Sequence, residues 1–317
     1  MNKLVVYFRA SEEFMNHLKN FSNNFEIIMC KGPDKLQSHL PKTEILVTLF
    51  NSPDAKMIQQ APRLKWIQAL TAGVDSFPLN QIKKQNILLT NGRGIHKIHI
   101  AEYAIAAMIT LARNFHLMFR NQLKNKWDRS VPQDEINGRT VGIIGLGAIG
   151  QEIARKASIL GMRVIGVKHN PHPLEGVQHV YSPAQMESVF KKSDYVINLL
   201  PDTPDSKSLI DKTMFAAMKK TACFINLGRG PTVNQTDLIE ALQKKKIRAL
   251  FSDVYAEEPL PEDSPLWEME NVVLTPHIAG VSPKYLERGM DILRHNLPVY
   301  VTSSGEMINV VDLDRGY

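Results

Sequence analysis

Val141-Gly142-Ile143-Ile144-Gly145-Leu146-Gly147-Ala148-Ile149-Gly150 is the stretch whose reading decides the fold. Its first four residues have the composition of a short buried strand, and the three glycines that follow have the spacing GxGxxG. A helical pattern, Ile149–Leu160, opens directly on them. Strand, glycine turn and helix in that order form a dinucleotide-binding fingerprint. Gly145 permits the tight turn, Gly147 lets the backbone approach a pyrophosphate, and Gly150 lets helix and strand pack closely. Ala148 and Ile149 open the helix, whose N–H groups and positive dipole end suit an anion.

The end of the next strand selects the dinucleotide. An acidic side chain about 20 residues on would hold the ribose 2′-hydroxyl of NAD. Arg163–Val167 instead runs into Lys168, His169 and Asn170, with no acidic residue. Lys168 and His169 attract a 2′-phosphate where an Asp would repel it. NADP(H) is the expected cofactor, with NAD(H) possible.

Outward from this motif, short apolar runs alternate with amphipathic ones. Leu4–Phe8, Glu26–Cys30, Ile45–Phe50, Lys65–Ala69 and Ile87–Thr90 read as strands, with Ser11–Asn20 and Asp54–Ala61 as helices between them. A long helical pattern, Ile98–Leu123, follows and suits a domain bridge, a dimer contact or a plain core helix. The alternation then restarts with strands at Thr140–Ile144, Arg163–Val167, Tyr195–Leu200, Ala222–Leu227, Ala249–Val254 and Val272–Thr275. Ser182 before Pro183 and Thr236 before Asp237 mark helix starts, and Pro283–Thr302 is helical again. Tyr195 and Trp127 read as packing groups. Such alternation predicts α/β structure with two doubly wound parallel sheets.

The 317 residues suit about two domains. Hydrophobic residues at 44% and charged residues at 22% exclude collagenous, disulfide-scaffold and wholly disordered classes. The net charge of +6 comes from scattered cations; the run Lys244–Lys246 reads as a solvated helix end rather than a nucleic-acid patch. Cys30 and Cys223 lack CxxC partners and read as reduced, buried thiols, with no metal site expected. The apolar run Leu4–Phe8 is too short for a signal-peptide core, and no stretch reaches the ~20 residues of a membrane span. A cytoplasmic protein is expected.

Three polar positions stand after three of the later strands. Arg229 follows Ile225-Asn226-Leu227-Gly228, Glu258 lies in Asp253-Val254-Tyr255-Ala256-Glu257-Glu258-Pro259-Leu260, and His277 lies in Leu274-Thr275-Pro276-His277-Ile278-Ala279-Gly280. Functional groups in doubly wound folds gather at the carboxyl ends of strands.

These motifs, with Gly145–Gly150 and Asn226-Leu227-Gly228-Arg229-Gly230, resemble the D-isomer-specific 2-hydroxyacid dehydrogenase family over almost the whole chain. Weaker matches are Ala72-Gly73-Val74-Asp75 and Ala101-Glu102. The resemblance implies a Rossmann cofactor domain inserted in a flavodoxin-like substrate domain, with a cleft between the lobes. The expected divisions are residues 1–96 with 286–317 for the substrate domain and 97–285 for the cofactor domain. It also implies a homodimer, with neither nucleic acid nor membrane as partner.

The implied activity is reduction of a small 2-oxo acid to the D-2-hydroxy acid, as in glyoxylate/hydroxypyruvate reductases. Arg229 would then bind the substrate carboxylate and carbonyl oxygens through its planar, permanently charged fork. His277 would be the proton donor, a role suited to imidazole near neutral pH. The family pattern places the His partner directly before Pro, which selects Glu258 over Glu257. Ala72, Gly73 and Val74 resemble the substrate-carboxylate loop. Leu200, Pro201 and Thr203 resemble the loop beside the cofactor, and Asp253 the residue that holds the nicotinamide amide. Leu227 and Gly280 lie in the motifs that flank the cofactor. Arg93 and His96 fall near the expected hinge.

Two departures stand out. Lys168 replaces the acidic residue of NAD-using members, and Asn234 stands where many members carry Asp. A phosphoglycerate dehydrogenase would need a cationic phosphate pocket, for which the sequence offers no candidate. Formate dehydrogenase chemistry is disfavoured because its His partner is Gln. A dinucleotide-sensing, partner-binding protein of the corepressor type is the rival from another class.

Overall fold

The computed structural model describes residues 1–316. The chain divides into two compact units, Met1–Ile95 with Ser282–Tyr317 and His96–Val281. Each unit is an α/β layer structure built on one parallel sheet.

In the first unit, strands and helices alternate as β1 (Lys3–Tyr7), α1 (Glu12–Leu18), β2 (Glu26–Met29), α2 (Pro33–Gln37), β3 (Thr43–Thr48), α3 (Ala55–Gln59), β4 (Trp66–Ala69), α4 (Leu79–Lys84) and β5 (Leu88–Thr90). The sheet order is β2-β1-β3-β4-β5 and every pairing is parallel. Two of the crossover helices are closed by N-caps: the Ser11 side chain accepts from the Phe14 N–H and Asp54 from the Met57 N–H.

The second unit runs through α5 (Lys97–Arg113), α6 (Phe115–Leu123), β6 (Thr140–Ile144), α7 (Ala148–Ile159), β7 (Arg163–Val167), β8 (His179–Tyr181), α8 (Met186–Lys192), β9 (Tyr195–Asn198), α9 (Lys212–Ala217), β10 (Cys223–Asn226), α10 (Gln235–Gln243), β11 (Ala249–Ser252) and β12 (Val272–Leu274). Its seven strands lie in the order β12-β11-β10-β9-β6-β7-β8. The order reverses between β6 and β9, the switch point at which doubly wound sheets bind ligands. Apolar residues of α5 and α7, among them Met108, Leu111, Ile153 and Ala157, cover one face. Val189, Phe190, Leu238 and Leu242 cover the other.

The chain then returns to the first unit through α11 (Tyr285–Thr302). Met290, Leu293 and Leu297 of α11 share a core with Leu4, Val6, Ile45, Val47 and Trp66. Asn296 fixes the register of the helix by donating to the Gln68 side chain at 3.1 Å and to the Ile308 carbonyl at 3.1 Å. Truncating a side chain buried this deeply, such as Leu293, costs about 2–5 kcal/mol.

Three expectations are corrected. The pattern over Ile98–Leu123 is two helices, because Asn114 takes φ 49° and resets the chain between Arg113 and Phe115. The cap of α10 is Asn234 rather than Thr236, since the Asn234 side chain accepts from the Asp237 N–H. Trp127 is not a packing group but is 92% exposed, whereas Tyr195 is buried. Ser182 does cap a turn that opens on Pro183, with a complete capping box to Gln185. Both cysteines are free and buried, and burial raises both thiols from their ordinary value. No group of three or more metal-ligating side chains occurs among the described residues, and none of their helices is long and apolar enough to cross a membrane.

Candidate active site

The glycine turn has the form a dinucleotide requires. Gly145 has φ +108°, a conformation that side chains disfavour. A Cβ on Gly150 would lie 2.3 Å from the Gly145 carbonyl oxygen, so only glycine lets α7 sit this close to β6. Gly147 is different, with nothing within 4 Å of a Cβ, which leaves its backbone approachable. No side chain caps α7, so its first N–H groups are open to an anion. Lys168 Nζ donates to the Leu146 carbonyl at 3.0 Å, which puts its charge on the rim of this turn. His169 is exposed beside it. An uncapped helix end, an open glycine and a cation at the strand end fit a pyrophosphate and a ribose phosphate.

The loops after β9 and β10 adjoin the same turn. Leu199 backbone atoms lie 3.4 Å from a Cβ on Gly145, and a Cβ on Gly228 would be 2.8 Å from the Leu200 carbonyl oxygen. Leu200, Pro201 and Thr203 therefore follow β9 beside the glycine turn. The loop is held by Ser206, whose hydroxyl donates to the Pro201 carbonyl at 2.6 Å and accepts from the Thr203 N–H at 2.8 Å. Leu227 is buried at the end of β10.

Arg229 follows immediately. Its backbone is extended, and its guanidinium donates to the Gly228 carbonyl at 3.0 Å. A buried ladder supports it from below: Asn198 Nδ2 donates to Asn226 Oδ1 at 2.9 Å and to Thr232 Oγ1 at 2.8 Å, and Thr232 Oγ1 donates to the Arg229 carbonyl at 2.6 Å. Each buried donor finds an acceptor, which fixes the backbone that carries the guanidinium.

His277 and Glu258 are brought together across two loops. His277 Nδ1 lies 2.6 Å from Glu258 Oε2, with the two side chains 47% and 34% exposed. His277 has φ +52°, an uncommon conformation for a non-glycine residue. Asp253, 1% exposed, holds that conformation in place. Its carbonyl accepts from the His277 N–H at 2.9 Å. Its carboxylate accepts from Thr275 Oγ1 at 2.6 Å, from the Ile278 N–H at 3.0 Å and from the Ala279 N–H at 2.8 Å. Gly280 ends this loop, and its carbonyl lies 3.0 Å from His99 Nε2.

Arg229, Glu258 and His277 thus follow β10, β11 and β12, adjacent strands of one sheet. Ala72, Gly73 and Val74 belong to the first unit and follow β4. There the Ala72 carbonyl accepts from Asn91 Nδ2 at 2.8 Å, the Gly73 carbonyl from Thr71 Oγ1 at 3.0 Å, and Val74 is buried. Sequence reasoning missed Tyr255 and the Asn198–Thr232 ladder. Tyr255 stands inside a motif that was singled out, two residues after Asp253, but its contacts lie up to twenty residues away.

Comparison with known proteins places the chain in a family. Residues 105–279 match the model of the D-isomer specific 2-hydroxyacid dehydrogenase NAD binding domain. The chain is 31% identical over 276 residues to a glyoxylate/hydroxypyruvate reductase B from Enterobacter sp., covering 83% of this chain and 85% of that one. It is 32% identical over 280 residues to a D-3-phosphoglycerate dehydrogenase from Archaeoglobus fulgidus, covering 88% of this chain. The match spans about half, 53%, of that dehydrogenase. Among solved structures, an NADPH-dependent glyoxylate/hydroxypyruvate reductase from Sinorhizobium meliloti, in complex with NADP and sulfate, superposes with a TM-score of 0.85 at 26% identity over all of both chains.

Proposed function

The chain belongs to the D-isomer-specific 2-hydroxyacid dehydrogenases, and on that premise we propose that it reduces a small unphosphorylated 2-oxo acid to the D-2-hydroxy acid with NADPH. The observation that carries this reading is the 2.6 Å contact between His277 Nδ1 and Glu258 Oε2, on loops beside the one that presents Arg229. Glyoxylate and hydroxypyruvate are the substrates that the reductase relatives' names suggest.

The chemistry of the donors supports the following roles. Gly145, Gly147 and Gly150 with the open N–H groups of α7 would hold the pyrophosphate, and Lys168 with His169 the 2′-phosphate. Leu200, Pro201, Thr203, Leu227, Asp253 and Gly280 would line the rest of the dinucleotide. When bound, the reduced nicotinamide supplies the hydride to the ketone carbon. Arg229 would take the substrate carboxylate and carbonyl oxygen in a forked, charge-assisted pair of hydrogen bonds. Glu258 holds His277 Nδ1, which leaves Nε2 to give its proton to the ketone oxygen. The carboxylate also stabilises the imidazolium before transfer. Half-exposed, the neutral ring regains a proton from solvent. The net change is 2-oxo acid, NADPH and H⁺ to 2-hydroxy acid and NADP⁺. Ala72, Gly73 and Val74 would add backbone contacts to the substrate carboxylate.

A homodimer completes the reading. Phe115, Phe119 and Leu123 recur every fourth residue along α6. They are 37%, 61% and 86% exposed, an apolar stripe that a second copy would cover. A cytoplasmic setting goes with two free, buried cysteines.

The test is oxidation of NADPH and NADH over a panel of 2-oxo acids with and without phosphate groups. NADPH turnover with an unphosphorylated acid is the expected result. Turnover restricted to phosphorylated acids would replace this reading with the phosphoglycerate one. Tight dinucleotide binding with no turnover would replace it with a sensing role.

A further inference from the structure

We propose that Tyr255 is a positioning residue that sets the geometry of the His277–Glu258 pair from both sides. The inference rests on the assignment of that pair as the proton donor.

Tyr255 follows β11 by three residues and is 6% exposed. Its backbone N–H donates to Glu258 Oε1 at 2.9 Å. That bond occupies one carboxylate oxygen and turns the other, Oε2, toward His277. At the far end of the side chain, the hydroxyl lies 2.9 Å from both the Ser252 and the Thr275 carbonyl oxygens, and it accepts from the Thr275 N–H at 3.2 Å. Ser252 ends β11, and Thr275 is the residue after β12, two before His277. One side chain therefore ties the carboxyl ends of two strands together while its own backbone orients the carboxylate. The contacts close a ring: Tyr255 hydroxyl, Thr275, His277, Glu258, Tyr255 N–H.

Burial raises the Tyr255 hydroxyl well above its ordinary value, with Asp253, Glu258 and Tyr103 adding to the effect. The group therefore remains a hydrogen-bond donor throughout the working pH range. Those three residues and His277 are titratable groups close to the ring. Tyr103 on α5 packs edge-on against Phe251 and lies near Thr275 and Asp253. Tyr255 bonds directly to Glu258 through its N–H, and its carbonyl packs against Gly230 beside Arg229; removing the hydroxyl leaves both backbone contacts in place, so the effect of that loss passes through Thr275 to His277.

The experiment is Tyr255→Phe, which keeps the ring and removes the hydroxyl. Thr275 keeps its bonds to the Ser252 carbonyl and the Asp253 carboxylate but loses the contact that completes its position two residues before His277, so the ring shifts against Glu258 and the imidazolium loses part of its carboxylate stabilisation. The expected result is a fall in kcat of about three- to tenfold, the worth of one hydrogen bond, with the alkaline limb of the kcat profile moved to lower pH. The Kd for NADPH should be unchanged. In a Glu258→Gln background, Tyr255→Phe should add no further shift. In the cofactor-free protein, the ¹⁵N titration of the His277 ring should move in the same direction.

A lower unfolding temperature with an unmoved alkaline limb would make Tyr255 a purely structural residue and overturn the inference. So would a full shift in the Glu258→Gln background. Hydrogen exchange on the native chain gives a check that needs no variant. Thr275 and His277 amides protected like those of β11 are expected, and loop-like exchange at both overturns the bracket. Absence of turnover in the native chain would instead remove the proposed function itself, and the ring titration would still test Tyr255.

Discussion

A Cβ placed on Gly230 would lie 1.7 Å from the carbonyl oxygen of Tyr255. The loop that carries Arg229 and the loop that carries Glu258 thus meet backbone to backbone, with no space for a side chain. Neither backbone can yield cheaply, because Tyr255 is tied at both ends and Thr232 is bonded to the Arg229 carbonyl. Gly230→Ala should cost about 3 kcal/mol or more and lower kcat together with stability. Urea unfolding and steady-state kinetics on the same preparation check it; native-like values in both would show that the two loops separate easily.

Replacing His277, the proposed proton donor, should separate chemistry from cofactor binding. His277→Asn is the better variant, because Asn tolerates the left-handed backbone at this position. Turnover should fall about 10²- to 10⁴-fold while NADPH fluorescence titration gives an unchanged Kd. Wild-type turnover would remove His277 from the reaction.

Lys168 Nζ is bonded to the glycine turn through the Leu146 carbonyl, and the function proposed above gives it the 2′-phosphate. Lys168→Asp should shift the ratio of kcat/KM for NADPH over NADH toward NADH by about ten- to a hundredfold, the value of a charge-assisted hydrogen bond. Raising the salt concentration should narrow the difference between native and variant chains. An unchanged ratio would show that the cofactor is chosen elsewhere.

His116 gives a pH-dependent stability. Burial lowers its ring from the ordinary 6.5, helped by the neighbouring Arg120 and Arg248. Above 6.5 the ring is neutral in the folded and unfolded chains alike. As pH falls below that value, the unfolded chain takes up a proton that the folded chain resists, so stability declines toward the lowered folded value. Unfolding temperatures of His116→Phe should fall less steeply than those of the native chain between about pH 7 and 5. Parallel slopes would contradict a neutral buried ring.

The homodimer proposed above is tested at the α6 stripe. Phe119→Asp with Leu123→Asp should convert a dimer into a monomer in sedimentation velocity, at unchanged far-UV dichroism. A native chain that is monomeric at micromolar concentration would refute the homodimer.

Much of this molecule can be read from local pattern. Thr140–Ile144 and Arg163–Val167 are strands with the bounds their apolar runs suggest, because both are flanked by sharp breakers. β8 escapes such reading: three residues, His179-Val180-Tyr181, at a sheet edge carry too little apolar signal. The short helices α2 and α4 have only five and six residues, less than two turns of periodicity. At Asn114 the apolar period continues while the backbone does not, since a single left-handed residue leaves no trace in hydrophobicity. Arg229, Glu258 and His277 are legible because they sit within dense motifs. The Tyr255 bracket is not, because it depends on which carbonyl a hydroxyl reaches across two strands.

The return of α11 to the first unit has a consequence for synthesis. The ribosome completes β1 to β5 early, yet Phe14 and Leu18 of α1 supply only part of the cover over Leu4, Val6, Ile45, Val47 and Trp66, and the rest belongs to Met290, Leu293 and Leu297. At about 5–20 residues per second, the intervening segment takes roughly 10–40 s to emerge. For that interval one face of the sheet has only part of its cover, while His96–Val281 is an unbroken segment of the chain. Nascent chains of this protein are therefore most exposed to aggregation, and most dependent on chaperone capture, in their first third.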